Sequence, residues 1–107
     1  MKHPQLATIL VTLHQASDGL YGDRLTHVIL FGSQSRNEAQ PDSDIDVLIV
    51  LESDVDSWTE IKRTGEIVAK LCLDHSVVIC CIFISEIQYQ AQQTALLRNV
   101  RQEGVVA

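Results

Sequence analysis

The first apolar positions of the chain recur at the spacing of one helix face. Leu6, Ile9, Leu10 and Leu13 follow the i, i+3, i+4, i+7 rule. This spacing predicts an amphipathic helix over residues 4 to 16. Pro4 is tolerated in its first turn, and the pair Asp18 and Gly19 is expected to end it.

Three later runs are short, apolar and rich in β-branched residues, a composition typical of buried strands. They cover residues 27 to 31, which stop at Gly32, then 44 to 51, and then 77 to 84. The apolar stretch of the second run, residues 47 to 51, shows no alternation of apolar and polar residues, so we expect both faces of that strand to be covered. The third is apolar throughout and is predicted to be buried as well.

The segments between these strands carry helix signals. Ser33 can cap a short helix through about Ala39, which Pro41 to Ser43 would break. Ser57 followed by Glu60 is a capping-box pattern and predicts a helix to about Leu73. The apolar residues of that helix lie roughly on one side: Trp58, Ile61, Val68, Leu71 and Cys72.

Ser85 is predicted to open a last helix that ends near Gly104. The resulting order of helices and strands predicts an α/β domain with a small three- or four-stranded sheet and helices packed on it. The second and third strands with their connecting helix form a parallel βαβ unit. The first two strands must be antiparallel if Ser33 is to face Asp44 and Asp46, so the sheet should be mixed.

Composition limits the classes of protein to consider. The 107 residues suit one domain, and 46% hydrophobic residues are enough for a compact core. No apolar run approaches the ~20 residues of a membrane span, and the N-terminus lacks the apolar region of a signal peptide, so we expect a cytoplasmic protein. The net charge of −6, with scattered Lys and Arg, disfavours a nucleic-acid substrate.

The cysteines and histidines show no metal-site or triad spacing. Cys72, Cys80 and Cys81 form an odd set, so buried free thiols packed in the core are favoured over a disulfide framework or a zinc site. Cys80 and Cys81 should point to opposite sides of their strand. The histidines at positions 14, 27 and 75 are expected to be structural or exposed.

Asp44 and Asp46 are two residues apart on a predicted strand, so their side chains leave the same face. Two carboxylates held this close favour a neutralising cation or a proton. Mg²⁺ or Mn²⁺ fits, because such ions take oxygen ligands from one or two carboxylates together with substrate phosphates. Taken alone, this pair is more typical of a solvated strand entry, because Asp and Ser are common turn residues.

A second feature changes that balance. Gly32 allows a phosphate to approach the backbone closely, and Ser33 adds a hydroxyl donor and free N–H groups at the start of a helix. Arg36, one turn later, can contact a phosphate oxygen, pair with Asp42 or Asp44, or form a surface ion pair. Together with the carboxylates, this turn favours a nucleotide site.

The segment Phe31-Gly32-Ser33-Gln34-Ser35-Arg36, followed by Asp44-Ile45-Asp46-Val47, resembles the GSxxR...SDxD signature of the polymerase-beta-like nucleotidyltransferase superfamily. By length and element order, the whole chain is similar to a single minimal nucleotidyltransferase (MNT) domain over residues 1 to 107. The resemblance implies the corresponding fold and transfer of a nucleotidyl group, namely AMP from ATP, to a hydroxyl. It also implies a small helical HEPN partner in a toxin-antitoxin pair.

The same resemblance implies roles for individual residues. Gly32, Ser33 and Arg36 would bind the nucleotide, while Asp44 and Asp46 would bind Mg²⁺ or Mn²⁺ and carry catalysis. The family's third carboxylate is missing from residues 77 to 84, where Cys80 stands about in its place. The acids that flank this strand, Asp74 and Glu86, are displaced by several residues.

Three functional hypotheses follow. The chain is a metal-dependent nucleotidyltransferase whose acceptor is supplied by another molecule, such as the partner protein. Alternatively, it is a catalytically weakened, nucleotide-binding antitoxin or regulatory subunit that acts by protein contact. An unrelated α/β domain remains if the motif match is coincidental.

Overall fold

The computed structural model of the protein describes residues 6–32, 44–91, 97, 98, 100 and 104–106, the last two by their backbone. The first helix, α1, spans Leu6–Tyr21 and buries Leu6, Ile9, Leu13, Ser17 and Tyr21. The predicted end at Asp18 and Gly19 is therefore wrong. The helix continues to Tyr21 because the side chain of this residue is buried. Its hydroxyl donates a hydrogen bond to Glu60 Oε1 over 2.8 Å. A 3-10 turn, Gly22–Arg24, follows.

The sheet has four strands, which are β1 (Leu25–Phe31), β2 (Ile45–Leu51), β3 (Ile79–Ser85) and β4 (Val105–Val106). Their order across the sheet is β3-β2-β1-β4. β1 pairs with β2 antiparallel, and β2 pairs with β3 parallel, as the sequence predicts for a mixed sheet. β4 was not predicted and pairs antiparallel with β1.

β2 lies in the interior, and both of its faces are covered as predicted. Val47, Ile49 and Leu51 pack in one cluster with residues of α1 and of the helix after β2. Leu48 and Val50 pack on the opposite face with Leu97 and Val100. The apolar pattern without alternation thus reflects a strand between two layers.

β3 differs from the expectation of a buried strand. Ile79, Phe83 and Ser85 are buried on one face, whereas Cys80 and Ile82 on the other face are exposed. The reason is the position of β3, which is the outermost strand next to β2. Leu97 and Val100 cover β2 on this face, whereas Cys80 and Ile82 of β3 stay exposed. The run of apolar residues could not reveal this, because exposure of an edge strand depends on its neighbours.

The helix after β2, α2, spans Ser57–His75. Asp56 is its N-cap and accepts from the Trp58 backbone N–H over 3.2 Å, so the predicted capping box of Ser57 and Glu60 is wrong. Glu60 is instead only 4% exposed, and its carboxylate binds Tyr21. Burial of a charged group this deep requires partners. Two further partners of Glu60 are arginines: Arg63 Nη1 lies 3.2 Å from Oε1, and Arg24 Nη2 lies 3.9 Å from Oε2.

The apolar side of α2 is only partly buried. Leu71 is buried, whereas Trp58 is 66% exposed and Ile61 is 47% exposed. The helix ends two residues beyond the predicted Leu73, at His75, and Ser76 adopts the left-handed conformation with φ 53°. That residue turns the chain toward β3.

The last described helix, α3, spans Glu86–Ala91. Ser85 opens it as predicted: its hydroxyl accepts from the Gln88 N–H over 3.2 Å, and the Gln88 side chain accepts from the Ser85 N–H over 3.0 Å. Leu97, Arg98 and Val100 are also helical. The rest of the predicted helix, at 92–96, 99 and 101–103, lies outside the described residues, as does the predicted short helix from Ser33 to Ala39 with its break.

Across the described ranges, no helix combines the length and apolar character that a membrane crossing requires.

Candidate active site

The site is built where β1 ends and β2 begins. Because these strands are antiparallel, the end of β1 lies beside the start of β2, and Phe31 is the register partner of Asp46. Gly32 follows directly after Phe31. The tertiary structure therefore brings the glycine turn to the carboxylate-bearing end of β2.

Gly32 and Asp46 approach each other closely. Gly32 has φ +76°, and a Cβ added there would lie 2.5 Å from Oδ2 of Asp46. Both facts require glycine, since an L side chain disfavours this φ and would collide with the carboxylate. The backbone at the end of β1 thus forms one wall against the Asp46 side chain.

Asp44 and Asp46 differ in their surroundings. Asp44 directly precedes β2 and is exposed. Asp46 is the second residue of β2 and is half-buried. Burial raises the pKa of Asp46, and the negative charge of Asp44 raises it further. The ionised pair is therefore electrostatically unfavourable by itself and would be stabilised by a cation.

Cys80 lies on the other side of Asp46 from Phe31. It is the register partner of Asp46 on β3 and is exposed. Burial by neighbouring atoms raises the pKa of its thiol, and the charges of Asp44 and Asp46 add to that shift. The side chains of Cys80, Asp46 and Phe31 therefore form one row across the sheet, with a protonated thiol beside the carboxylates.

Neighbouring candidates do not join this row. Cys81 points to the opposite face of β3, as predicted, and burial raises the pKa of its thiol to about 12. Asp74 is exposed and pairs with Lys70 over 2.7 Å on α2. Glu86 follows Ser85 at the end of β3 away from Asp46, and its Oε2 lies 3.7 Å from His27 Nε2. Neither acid supplies a third carboxylate near Asp46.

The donor set decides which ion the site could hold. Within the described ranges, no three His, Cys, Asp or Glu side chains are grouped to hold a metal ion. Asp44 and Asp46 supply two carboxylates, and this number suits Mg²⁺, which keeps several waters and takes further oxygens from substrate phosphates. The residues present therefore fit a metal that is bound together with a nucleotide.

Two predicted site residues, Ser33 and Arg36, lie outside the described residues. Phe31 was not predicted as a neighbour of Asp46. The signal that could have found it is the antiparallel turn itself: if Gly32 faces the carboxylates, the residue before it must pair near them.

Comparison with known proteins identifies the family. The model of the nucleotidyltransferase domain family matches residues 13–105, which is most of the chain. The chain belongs to this nucleotidyltransferase family. The "Putative protein adenylyltransferase MJ0604" of Methanocaldococcus jannaschii is 37% identical over 87 residues, which cover 80% of this chain and 81% of that protein.

Solved structures agree on the fold. A toxin-antitoxin crystal structure with AMP-PNP superposes with a TM-score of 0.62 at 20% identity, covering 94% of this chain and 69% of the other. A complex of the tri-AMPylated Shewanella oneidensis HEPN toxin with its MNT antitoxin gives a TM-score of 0.51 at 18% identity, covering 92% and 70%. The predicted polymerase-beta-like nucleotidyltransferase fold is confirmed.

Proposed function

We propose that this domain transfers AMP from ATP to a hydroxyl of a protein, with Mg²⁺ or Mn²⁺ as cofactor. The observation that carries this proposal is the contact geometry at the end of β1, where the backbone of Gly32 lies against the Asp46 carboxylate. With this contact, a glycine turn and two carboxylates lie together where β1 ends and β2 begins. A triphosphate and its metal need this combination of an approachable backbone and oxygen ligands.

Each residue has a distinct role in the proposed reaction. Asp44 and Asp46 would hold the metal, which when bound neutralises phosphate charge and lowers the pKa of the acceptor hydroxyl. Gly32 would admit the triphosphate to the backbone, and Ser33 and Arg36 are proposed as additional phosphate contacts. The acceptor oxygen forms a bond to the α-phosphorus, the bond to pyrophosphate breaks, and the hydroxyl proton passes to solvent.

A protein acceptor is favoured by two comparisons. The Methanocaldococcus jannaschii relative is named as a protein adenylyltransferase, and the HEPN toxin in the Shewanella oneidensis complex is AMPylated. The net charge of −6 also opposes binding of a nucleic-acid acceptor. We therefore propose a HEPN-type protein as partner and substrate of this single minimal domain.

The alternative is a nucleotide-binding antitoxin with weakened catalysis that acts by contact. The observation in its favour is Cys80, which stands beside Asp46 where a further acid would complete the metal ligands. A neutral thiol there supports metal placement less than a carboxylate does.

Two measurements test the proposal. Calorimetric titration should show ATP binding with Mg²⁺ and none with excess chelator, and equal affinity in both buffers would refute metal dependence. ATP labelled at the α-phosphate should then label the protein encoded beside this chain when both are incubated with Mg²⁺. Metal-dependent binding without any transfer would instead favour the contact-acting antitoxin.

A further inference from the structure

The open edge of the sheet lies next to the candidate active site. β3 is the outermost strand, and within the described ranges no strand pairs with its outer edge. The Val78 carbonyl accepts from the Ile45 N–H over 2.9 Å, so Val78 directs its main-chain groups toward β2. Because this direction alternates along a parallel strand, Ile79 and Cys81 direct their N–H and C=O groups outward. Among the described residues, no strand pairs with these groups, and an added strand can use them.

This edge lacks the usual protection against pairing. Edge strands commonly carry a charged residue, a proline or a bulge that discourages another strand from adding. Residues 77–85 contain neither a charged residue nor a proline, and the pairing of β2 with β3 is regular from Ile45–Ile79 to Leu51–Ser85. Strand addition is therefore chemically permitted along β3.

Apolar surface flanks the edge on both faces of the sheet. On the face of the carboxylates, Val78 is 56% exposed and Ile82 is 36% exposed, with Cys80 between them. On the opposite face, β3 and α2 form a groove of about 300 Å³. Its lining is mostly apolar and includes Ile61, Val68, Ile79 and Phe83. An added strand would place alternate side chains on these two surfaces.

The position of this edge relative to the carboxylates suggests which molecule uses it. Gly32 lies on the β1 side of Asp46, and Cys80 lies on the β3 side. In phosphoryl-group chemistry the attacking and leaving oxygens are roughly in line. If the triphosphate lies against Gly32, the acceptor oxygen must approach from the β3 side.

We propose that the edge of β3 binds an extended, apolar segment of the acceptor protein by strand addition, and so presents its hydroxyl to the carboxylates. The inference rests on the proposed function for the identity of the occupant. A strand added to β3 would run about 10 Å from β2, since neighbouring strands are about 4.8 Å apart. A side chain beside Cys80 therefore reaches toward Asp46 without displacing the triphosphate.

Charge favours a peptide of this kind over other occupants. A phosphate backbone would meet Asp44 and Asp46 and an edge with no basic residue between 77 and 85. A second copy of the chain would add a further net charge of −6 beside the same carboxylates. An uncharged extended segment supplies main-chain partners for the outward groups of β3 and apolar side chains that pack on the exposed Val78 and Ile82.

A peptide of alternating valine and threonine tests the edge directly. It should bind the wild-type domain in fluorescence polarisation and slow hydrogen exchange at the Cys81 and Phe83 amides. The amides of Cys80 and Ile82, which face β2, should change little. The same peptide N-methylated at alternate residues keeps the side chains but cannot pair, so it should not bind. Absence of binding by the first peptide, or equal binding by both, overturns the proposal.

Matched variants locate the surface. Val78→Lys and Ile82→Lys should each weaken peptide binding about tenfold, a loss that corresponds to about 1.4 kcal/mol. Val11→Lys is the control, because Val11 on α1 is 55% exposed, close to the 56% of Val78. Equal effects of all three variants would overturn the proposal.

Transfer and association assays separate this inference from the proposed function. Ile82→Lys should bind Mg-ATP like the wild type yet transfer AMP to the protein partner at least about tenfold more slowly. Undiminished transfer by Ile82→Lys would overturn the docking role. Absence of Mg-ATP binding by the wild-type domain would instead refute the proposed function and leave the peptide-binding test of the edge unaffected. A wild-type dimer that Ile82→Lys converts to a monomer would assign the edge to a second copy and overturn the inference.

Discussion

Replacement of Asp46 by Asn tests the idea that this carboxylate is present for a ligand and not for stability. Burial and the charge of Asp44 raise the pKa of Asp46, so its ionised form destabilises the folded state. Asn keeps nearly the same shape and removes the charge. In metal-free buffer at neutral pH, Asp46→Asn should therefore be as stable as the wild type or more stable.

The part of the effect that comes from Asp44 follows from the separation of the two carboxylates, and burial of Asp46 adds to it. Their positions are two residues apart on an extended chain, about 6.6 Å at the usual rise. The repulsion is then about 0.6 kcal/mol in water and about 2.5 kcal/mol at an effective dielectric constant of 20. Because Asp44 is exposed, the lower end applies, and this repulsion alone corresponds to a rise in Tm of about 2 to 5 °C.

The pH dependence gives a second readout. The folded-state pKa is raised, so the cost is present above that pKa and disappears as pH falls through it and Asp46 takes up a proton. The stability advantage of Asp46→Asn should therefore shrink as pH is lowered toward the acidic range. Thermal melts in metal-free buffer at several pH values measure this difference.

Metal and nucleotide should reverse the order of stability. Mg-ATP should raise the Tm of the wild type and leave that of Asp46→Asn nearly unchanged, because only the wild type keeps both ligands. Asp54→Asn, an exposed acid in the loop after β2, is the control and should behave like the wild type. A large loss of stability for Asp46→Asn in metal-free buffer would refute the reasoning and make Asp46 a structural residue.

Further substitutions at Gly32, Gly19, Cys80 and Tyr21 probe the site and the fold around it. Gly32→Ala should lower the unfolding free energy by about 1 to 3 kcal/mol in urea titrations and abolish Mg-ATP binding. Gly19→Ala should instead stabilise α1 by about 0.5 to 1 kcal/mol in the same titrations, because a Cβ added at position 19 meets open space. Cys80→Asp should increase AMP transfer relative to the wild type and to Cys80→Ser, and equal rates in all three proteins would contradict a role for an acid beside Asp46. Tyr21→Phe should cost about 1 to 2 kcal/mol in urea titrations, because it removes a hydrogen bond to the buried Glu60 carboxylate, and an unchanged midpoint would show that the arginines suffice.

The sequence by itself determined the elements whose signals are local. Apolar spacing identified α1, because a helix face repeats at fixed intervals, and short apolar runs rich in β-branched residues identified the three main strands. The requirement that Ser33 face Asp44 and Asp46 was enough to predict the antiparallel pair. The pattern of glycine, serine and aspartates was enough to indicate the family. Each of these inferences needs only residues close in sequence or a rule of chain connection.

Other features depended on contacts between distant residues. The sequence predicts Glu60 as a capping residue with Ser57. In the structure its carboxylate accepts a hydrogen bond from the buried hydroxyl of Tyr21, 39 positions earlier in the chain. The same contact carries α1 past its predicted end. Local propensity could not predict either outcome, because burial of a charged group is decided by the partners that the fold brings to it.

The exposure of β3 was also a tertiary decision. The runs in β2 and β3 are equally apolar, yet Val50 on β2 is fully buried while Ile82 on β3 is 36% exposed. The difference arises from the order of strands in the sheet, which places β2 between two neighbours and leaves β3 at the edge. A one-dimensional pattern records how apolar a strand is, and only the packing of the whole chain decides whether a neighbour covers it.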